Sequence, residues 1–189
     1  MEARALLDFL SVAEKLKCNT RHCFTTSGRP ESVAEHSWRV ALMAYLVSDE
    51  YPALDMNKVI KMCLIHDLGE AITGDIPSFL KTDSDADNEV RQVLALFKTL
   101  PEPYKTDMPN LFLEMEALST PEAKLYKCLD KLEALISHNE SDLSTWLPLE
   151  YELQKTYGVD NCSFSPYTKA LRKEVLADNI KKTEGRTDL

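Results

Sequence analysis

Between Cys63 and Pro77 the chain reads CLIHDLGEAITGDIP, an apolar helical start that soon takes on His66, Asp67, Glu70 and Asp75. On a helix of 3.6 residues per turn, Glu70 lies four positions after His66 and three after Asp67, so the three side chains can approach one pocket. Carboxylates withdrawn from water without a partner cost roughly several kcal/mol each, and a divalent cation offsets that cost directly. An adjacent His–Asp pair cannot close a metal shell, so further donors must come from elsewhere in the chain. The candidates are His36, on the otherwise apolar helix start AEHSWRV, and Asp130, inside LYKCLDKLEAL, where Leu125, Leu129 and Leu132 mark a substantially buried helix. Two histidines and two aspartates with coordination positions left open suit Mn²⁺, Co²⁺ or Fe²⁺ better than a closed structural zinc site.

The elements that must position these residues are helical. Leu6, Leu7, Leu10, Ala13 and Leu16 recur at three- and four-residue steps, which predicts a helix over about 3–17 with one buried face. CNTRHCFTTSGRPE breaks the pattern. Ser32 with Glu35 forms a capping-box signature that starts a helix to about residue 50 and puts His36 in its first turn. The next helix is expected over about 57–73, ended by Gly74 and Pro77. KTDSDADNE reads as an acidic connector, EVRQVLALFKTL and PNLFLEMEAL as two further helices set off by Pro101, Pro103 and Pro109. Thr120 as N-cap, Pro121 at the first helical position and Glu122 in the first turn predict a helix to about His138. After it come a loop, a helix broken near Pro148, a second loop, and a last helix in YTKALRKEVLADNIKK before a polar tail. With no repeat and no composition shift, the expectation is one all-α domain over 1–189.

Composition narrows the function classes. The 189 residues carry a formal charge of -9 and 44% hydrophobic content, enough for a real core and without the basic footprint that bulk nucleic acid or an anionic membrane requires. Five cysteines without a CxxC pair (Cys18, Cys23, Cys63, Cys128, Cys162) read as reduced thiols of a cytoplasmic protein. The first seventeen residues lack an apolar core of signal-peptide length, and no window reaches the apolar length of a membrane span.

EHSWRVA at His36, IHDLGEAITGDIP at His66 and Asp67, and LDKLEAL at Asp130 together resemble the three blocks, in order, of the HD-domain metal-dependent phosphohydrolases. The similarity is strongest to the YfbR-like 5'-deoxynucleotidases and their eukaryotic relatives. It spans about Arg21 to His138, the motif core, leaving the helices of 139–182 outside it, and the extended form H-D-x-x-E-x-x-x-G-D is far more specific than an HD dipeptide. The resemblance implies a helical HD-domain bundle with His36, His66, Asp67 and Asp130 as ligands of one divalent metal. Mn²⁺ or Co²⁺ comes first, with Fe²⁺, Mg²⁺ and Zn²⁺ also compatible. It further implies Glu70 and Asp75 as the acids that handle the protons of an attacking water and a leaving oxygen, and Arg21 as a phosphate clamp. Lys127, one turn before Asp130, is a further phosphate candidate. The bacterial members have a tryptophan after the arginine where this chain has His22, a candidate pocket-wall residue, which puts the sugar in doubt; the expected reaction is removal of phosphate from a nucleoside 5'-monophosphate, with a di- or triphosphate as the alternative substrate. Relatives with two metals place extra histidines between the HD pair and the last aspartate; none occurs here between Asp67 and Asp130, so one metal is expected. A small nucleotide is the implied substrate and a homodimer the implied assembly, with Trp146, Leu147, Leu149, Tyr151 and Leu153 as an apolar contact segment. A binding module without turnover and a scaffold with a structural metal are the rival readings.

Several residues have plainer roles. Glu35 reads as a cap rather than a catalyst, and His138 as a group bonding the last carbonyls of its helix. Trp38 and Tyr45 read as core, and DSDADNE as a solvated loop lacking the glycine and terminal glutamate of a calcium loop.

Overall fold

Helix caps and apolar stripes set most of the architecture of the computed structural model, which describes residues 1–77 and 79–184. The polar tail beyond residue 184 lies outside the described residues. In chain order the elements are α1 (Ala3–Ala13), β1 (Thr20–Phe24), β2 (Pro30–Ser32), α2 (Val33–Leu46), α3 (Met56–Ile65), α4 (Glu70–Thr73), α5 (Asp83–Phe97), α6 (Tyr104–Ala117), α7 (Pro121–Glu140), α8 (Glu150–Thr156) and α9 (Pro166–Thr183). The fold is helical, as expected, with one small antiparallel hairpin. β1 pairs with β2, Thr20 opposite Ser32 and Phe24 opposite Pro30, with an irregular register between. The hairpin corrects the reading of that stretch as an unstructured break, because strands this short show no alternation that a sequence pattern can reveal.

α7 is the axis of the bundle. Its Leu125 and Leu129 are fully buried in one cluster with Val40 and Ala44 of α2 and Val59, Met62 and Cys63 of α3, and its Leu132 in a second cluster with Cys162 and with Val175 of α9. Each such side chain contributes about 1.5–3 kcal/mol by leaving water. Phe97 of α5 and Phe112 of α6 meet edge to face at 6.1 Å and close the far end. Thr120 caps α7 by accepting from the Ala123 N–H at 3.2 Å.

Five helix expectations change, the first at α1, whose Leu6, Leu7 and Leu10 are exposed rather than on a buried face. The predicted helix over 57–73 breaks after Ile65: Leu68, Glu70, Ala71 and Ile72 donate backbone bonds to Ile65, Asp67, Leu68 and Gly69, three residues back rather than four. The tighter winding eclipses positions i and i+3, which puts Asp67 and Glu70 one above the other. KTDSDADNE is no connector or loop from Thr82 onward: Thr82 and Asp85 form a capping box, and the acids occupy the first turns of α5, where the helix dipole favours them. α6 begins at Tyr104 and takes Pro109 inside its early turns instead of starting there. The apolar face expected of Trp38 and Tyr45 is not core; they are 62% and 67% exposed.

Candidate active site and metal centre

His36 is delivered by the start of α2. Ser32 Oγ accepts from the Glu35 N–H at 3.3 Å, and Glu35 Oε2 accepts from the Ser32 N–H at 2.9 Å, so the first turn is fixed and its fourth residue faces inward. His66 sits where α3 tightens, and its Nδ1–H donates to the Cys63 carbonyl at 2.8 Å. That leaves Nε2 with a free lone pair. His36 Nδ1 bonds the Glu133 carboxylate, so its Nε2 is also the lone-pair nitrogen.

The two Nε2 atoms lie 3.2 Å apart. Asp67 Oδ2 is 3.0 Å from His66 Nε2 and 3.7 Å from His36 Nε2, while Asp130 Oδ1 is 3.3 Å from His36 Nε2 and 3.9 Å from His66 Nε2. Two imidazole nitrogens and two carboxylates gathered out of water need positive charge among them, supplied by a proton on His36 or by a bound cation. Donors about 2.0–2.2 Å from a common cation stand about 3.0–3.5 Å from each other, close to the spacings found. His36, His66 and Asp67 hold one donor atom each within 4.8 Å of one another, a spacing that fits a divalent metal, and Asp130 stands beside the two histidines. The acids also raise the affinity of His36 for a proton: burial and Arg21 oppose its charge, yet Asp130 and Glu133 outweigh them and push its pKa up to about 9.

Glu70 and Asp75, the two expected acids, stand beside this cluster. Glu70 is buried, and its Oε2 finds no hydrogen-bond partner among the described residues. Burial first, then the charges of Asp67 and Asp75, raise its pKa to about 10. Asp75 is raised as well, mainly by burial, with Arg21 opposing. Gly74, between the two acids, has φ +80° and ψ 162°, a backbone state that only glycine adopts cheaply, and it turns the chain so that Asp75 faces the same cavity. Gly69 admits α5 closely: a Cβ there would sit 2.7 Å from the Glu89 side chain.

A cavity of about 310 Å³ opens over the cluster, lined by His36, Asp67, Glu70, Asp75, Lys127 and Asp130, and also by Arg21 and His22. His66 packs behind this lining, edge-on to His36. Lys127 Nζ lies 3.0 Å from Asp130 Oδ2, and that ion pair, with Lys131 adding to it, outweighs burial and holds the Asp130 carboxyl well below its ordinary range. The Arg21 guanidinium is tied at the cavity wall, 3.4 Å from Glu133 and 3.5 Å from Glu31. His22 forms the opposite wall, edge-on to Phe79 at 6.3 Å and with Nε2 3.3 Å from Glu150.

The sequence reading passed over Glu31, Lys81, Glu133 and Glu150. Lys81, paired with Glu89, and Glu150 both line the cavity. His138 is not a carbonyl cap: its ring faces inward, 4.7 Å from Trp146, with Nε2 3.2 Å from Glu150. Trp146 is accordingly buried and Leu153 lines the cavity, so the segment read as an apolar contact surface largely serves the site instead. Glu133 and Ser137 did leave a signal, since they repeat at +3 and +7 from Asp130 along the face of α7 whose other buried positions are mainly apolar.

Residues 13–172 match the HD domain family. Among curated proteins, the chain is 32% identical to the 5'-deoxynucleotidase HDDC2 of Homo sapiens, over 73% of this chain and 69% of that one. It is 29% identical to the 5'-deoxynucleotidase hdd1 of Schizosaccharomyces pombe, over 75% and 80%. Among solved structures, a predicted metal-dependent phosphohydrolase from Magnetospirillum magnetotacticum superposes with a TM-score of 0.78 at 29% identity, covering 95% of this chain and 93% of that one. With a matched region that takes in both the hairpin arginine and the pocket wall of α8, the chain belongs to the HD domain family.

Proposed function

We propose that this chain is a metal-dependent phosphohydrolase that removes the phosphate from a nucleoside 5'-monophosphate. The observation that carries the reading is the meeting, at one cavity, of the cluster of His36, His66, Asp67 and Asp130, two buried carboxyl groups and a guanidinium. The 5'-deoxynucleotidases among its relatives support the substrate class. His36, His66, Asp67 and Asp130 would hold the metal, which would polarise a phosphoryl oxygen and lower the pKa of a water. Glu70 and Asp75 handle the proton of the attacking water and the one given to the leaving 5'-oxygen. Arg21 offsets charge on the equatorial oxygens, a task suited to a planar donor fork. The volume of about 310 Å³ lies at the small end of ligand cavities, which matches a nucleotide held in part outside it.

A second reading, a nucleoside di- or triphosphate as substrate, has one observation in its favour: Lys81 and Lys131 line the cavity in addition to Arg21 and Lys127, more positive charge than one phosphate calls for. The assay that separates them is phosphate release from ribo- and deoxynucleoside mono-, di- and triphosphates with Mn²⁺, Co²⁺ and Mg²⁺. Turnover of monophosphates supports the first reading, and turnover confined to triphosphates replaces it with the second. No turnover on any substrate leaves a module that binds without chemistry.

The same proposal takes Mn²⁺ or Co²⁺ as the working ion, a cytoplasmic location consistent with five free thiols, and a homodimer. Among the described residues no helix is long and apolar enough to cross a membrane. The homodimer finds support in the outer face of α2, where Trp38, Leu42, Tyr45 and Leu46 are all exposed. Trp38→Glu with sedimentation analysis tests it, and an unchanged mass counts against that face.

A further inference from the structure

Glu133 is fully buried on α7, one turn past Asp130, and is neither a donor of the cation cluster nor one of the two acids beside it. A carboxylate so placed persists only when its oxygens are matched by donors. Its Oε2 meets His36 Nδ1 and lies 3.4 Å from Arg21 Nη1. Its Oε1 accepts from Ser137 Oγ at 2.7 Å and lies 3.4 Å from Arg39 Nε. One carboxylate thus touches the back of the His36 ring, whose front nitrogen faces the donor cluster, and also the guanidinium at the cavity wall.

We infer that Glu133 is a positioning residue that sets the cation site and the phosphate clamp together. By accepting the Nδ1–H it selects the tautomer in which the His36 Nε2 lone pair points at Asp67, His66 and Asp130. By pairing with Arg21 it keeps the clamp against the wall rather than across the cluster. The inference rests on the reading of His36 as a metal ligand. Glu31, His36 and Glu133 also place donor atoms within 4.8 Å of one another, as a second cation site would. Arg21 and Arg39 already supply positive charge there, so the structural role is the one the geometry favours.

The test uses metal-stripped full-length protein, titrated calorimetrically with Mn²⁺, and inorganic phosphate as the clamp's probe. Wild type is expected to bind one Mn²⁺ per chain. Glu133→Gln keeps the side-chain volume and is expected to weaken Mn²⁺ binding about 10–100-fold, to weaken inhibition by phosphate, and to leave the far-ultraviolet circular dichroism unchanged. Nitrogen shifts of labelled histidine are expected to show His36 leaving the Nδ1–H form. Should that variant not fold, Glu133→Asp, which draws the carboxylate back by one methylene, is read the same way. Mn²⁺ affinity within twofold of wild type, with phosphate inhibition unchanged, overturns the inference. Wild-type affinity retained in His36→Ala overturns instead the ligand reading beneath it, and the inference with it.

Discussion

Replacing Glu70 by glutamine separates the chemistry of the site from its stability. In the metal-free protein, burial and the neighbouring Asp67 and Asp75 raise the Glu70 pKa to about 10, so at pH 7 the group is held largely in its protonated form. Glutamine then matches the native group in both shape and charge. The one new demand is an amide N–H₂ where Oε2 already lacked a partner, so unfolding stability without metal should change by no more than about 1 kcal/mol. Activity should behave otherwise, because glutamine cannot take or return a proton. Loss of a general acid–base group costs about 10²–10⁴-fold, or about 3–5 kcal/mol in the barrier. The assay is phosphate release at saturating Mn²⁺, with urea denaturation of the stripped protein and Mn²⁺ titration alongside. A fall in kcat of less than tenfold would refute the proton-handling role. A parallel loss of Mn²⁺ affinity would make Glu70 a ligand and refute the four-donor site.

Gly74→Ala places a Cβ where nothing lies within 4 Å, so its penalty is purely the backbone state at φ +80°, about 1–3 kcal/mol in urea denaturation, and it should misdirect Asp75 and lower kcat. Glu35 is held down to about 2 by Arg29 and by the Ser32 N–H; its contribution is therefore full above about 4.5 and is lost as the pH falls toward 2, and Glu35→Gln should flatten that acid limb of the thermal-stability profile while lowering the midpoint at pH 7 by about 2–4 °C. Chelation should silence the enzyme and leave its helical signal intact, and Mn²⁺ at a hundred times its dissociation constant should add about 2.7 kcal/mol of stability. Collapse of the helical signal on chelation would favour a structural metal instead.

Local features were legible where the physics is local. The capping boxes and N-caps at Ser32 and Thr120, the apolar stripe of α7 and the H…HD…D order could all be read along the chain, because a cap or a stripe depends on residues three or four apart. The same reasoning failed where a residue's partner is distant. Trp38 and Tyr45 share a helix face, yet whether that face is covered depends on which elements pack there. His138 resembles a cap at its helix end until Trp146 and Glu150 arrive from another element. The acids of DSDADNE looked like a loop because Thr82 as a cap was not weighed against their charge.

By itself the sequence determined the helical class, the identity of the four candidate donors and the acids beside them, since chemistry of that kind is written in residue type and spacing. Only the tertiary structure decided that His36, His66, Asp67 and Asp130 meet in one cluster. It also decided that the chain tightens at the HD pair, and that Glu133 and Glu150 stand behind the cavity and along its wall. The physical reason is that a buried charge is tolerated only against partners brought from far along the chain, and packing alone chooses those partners.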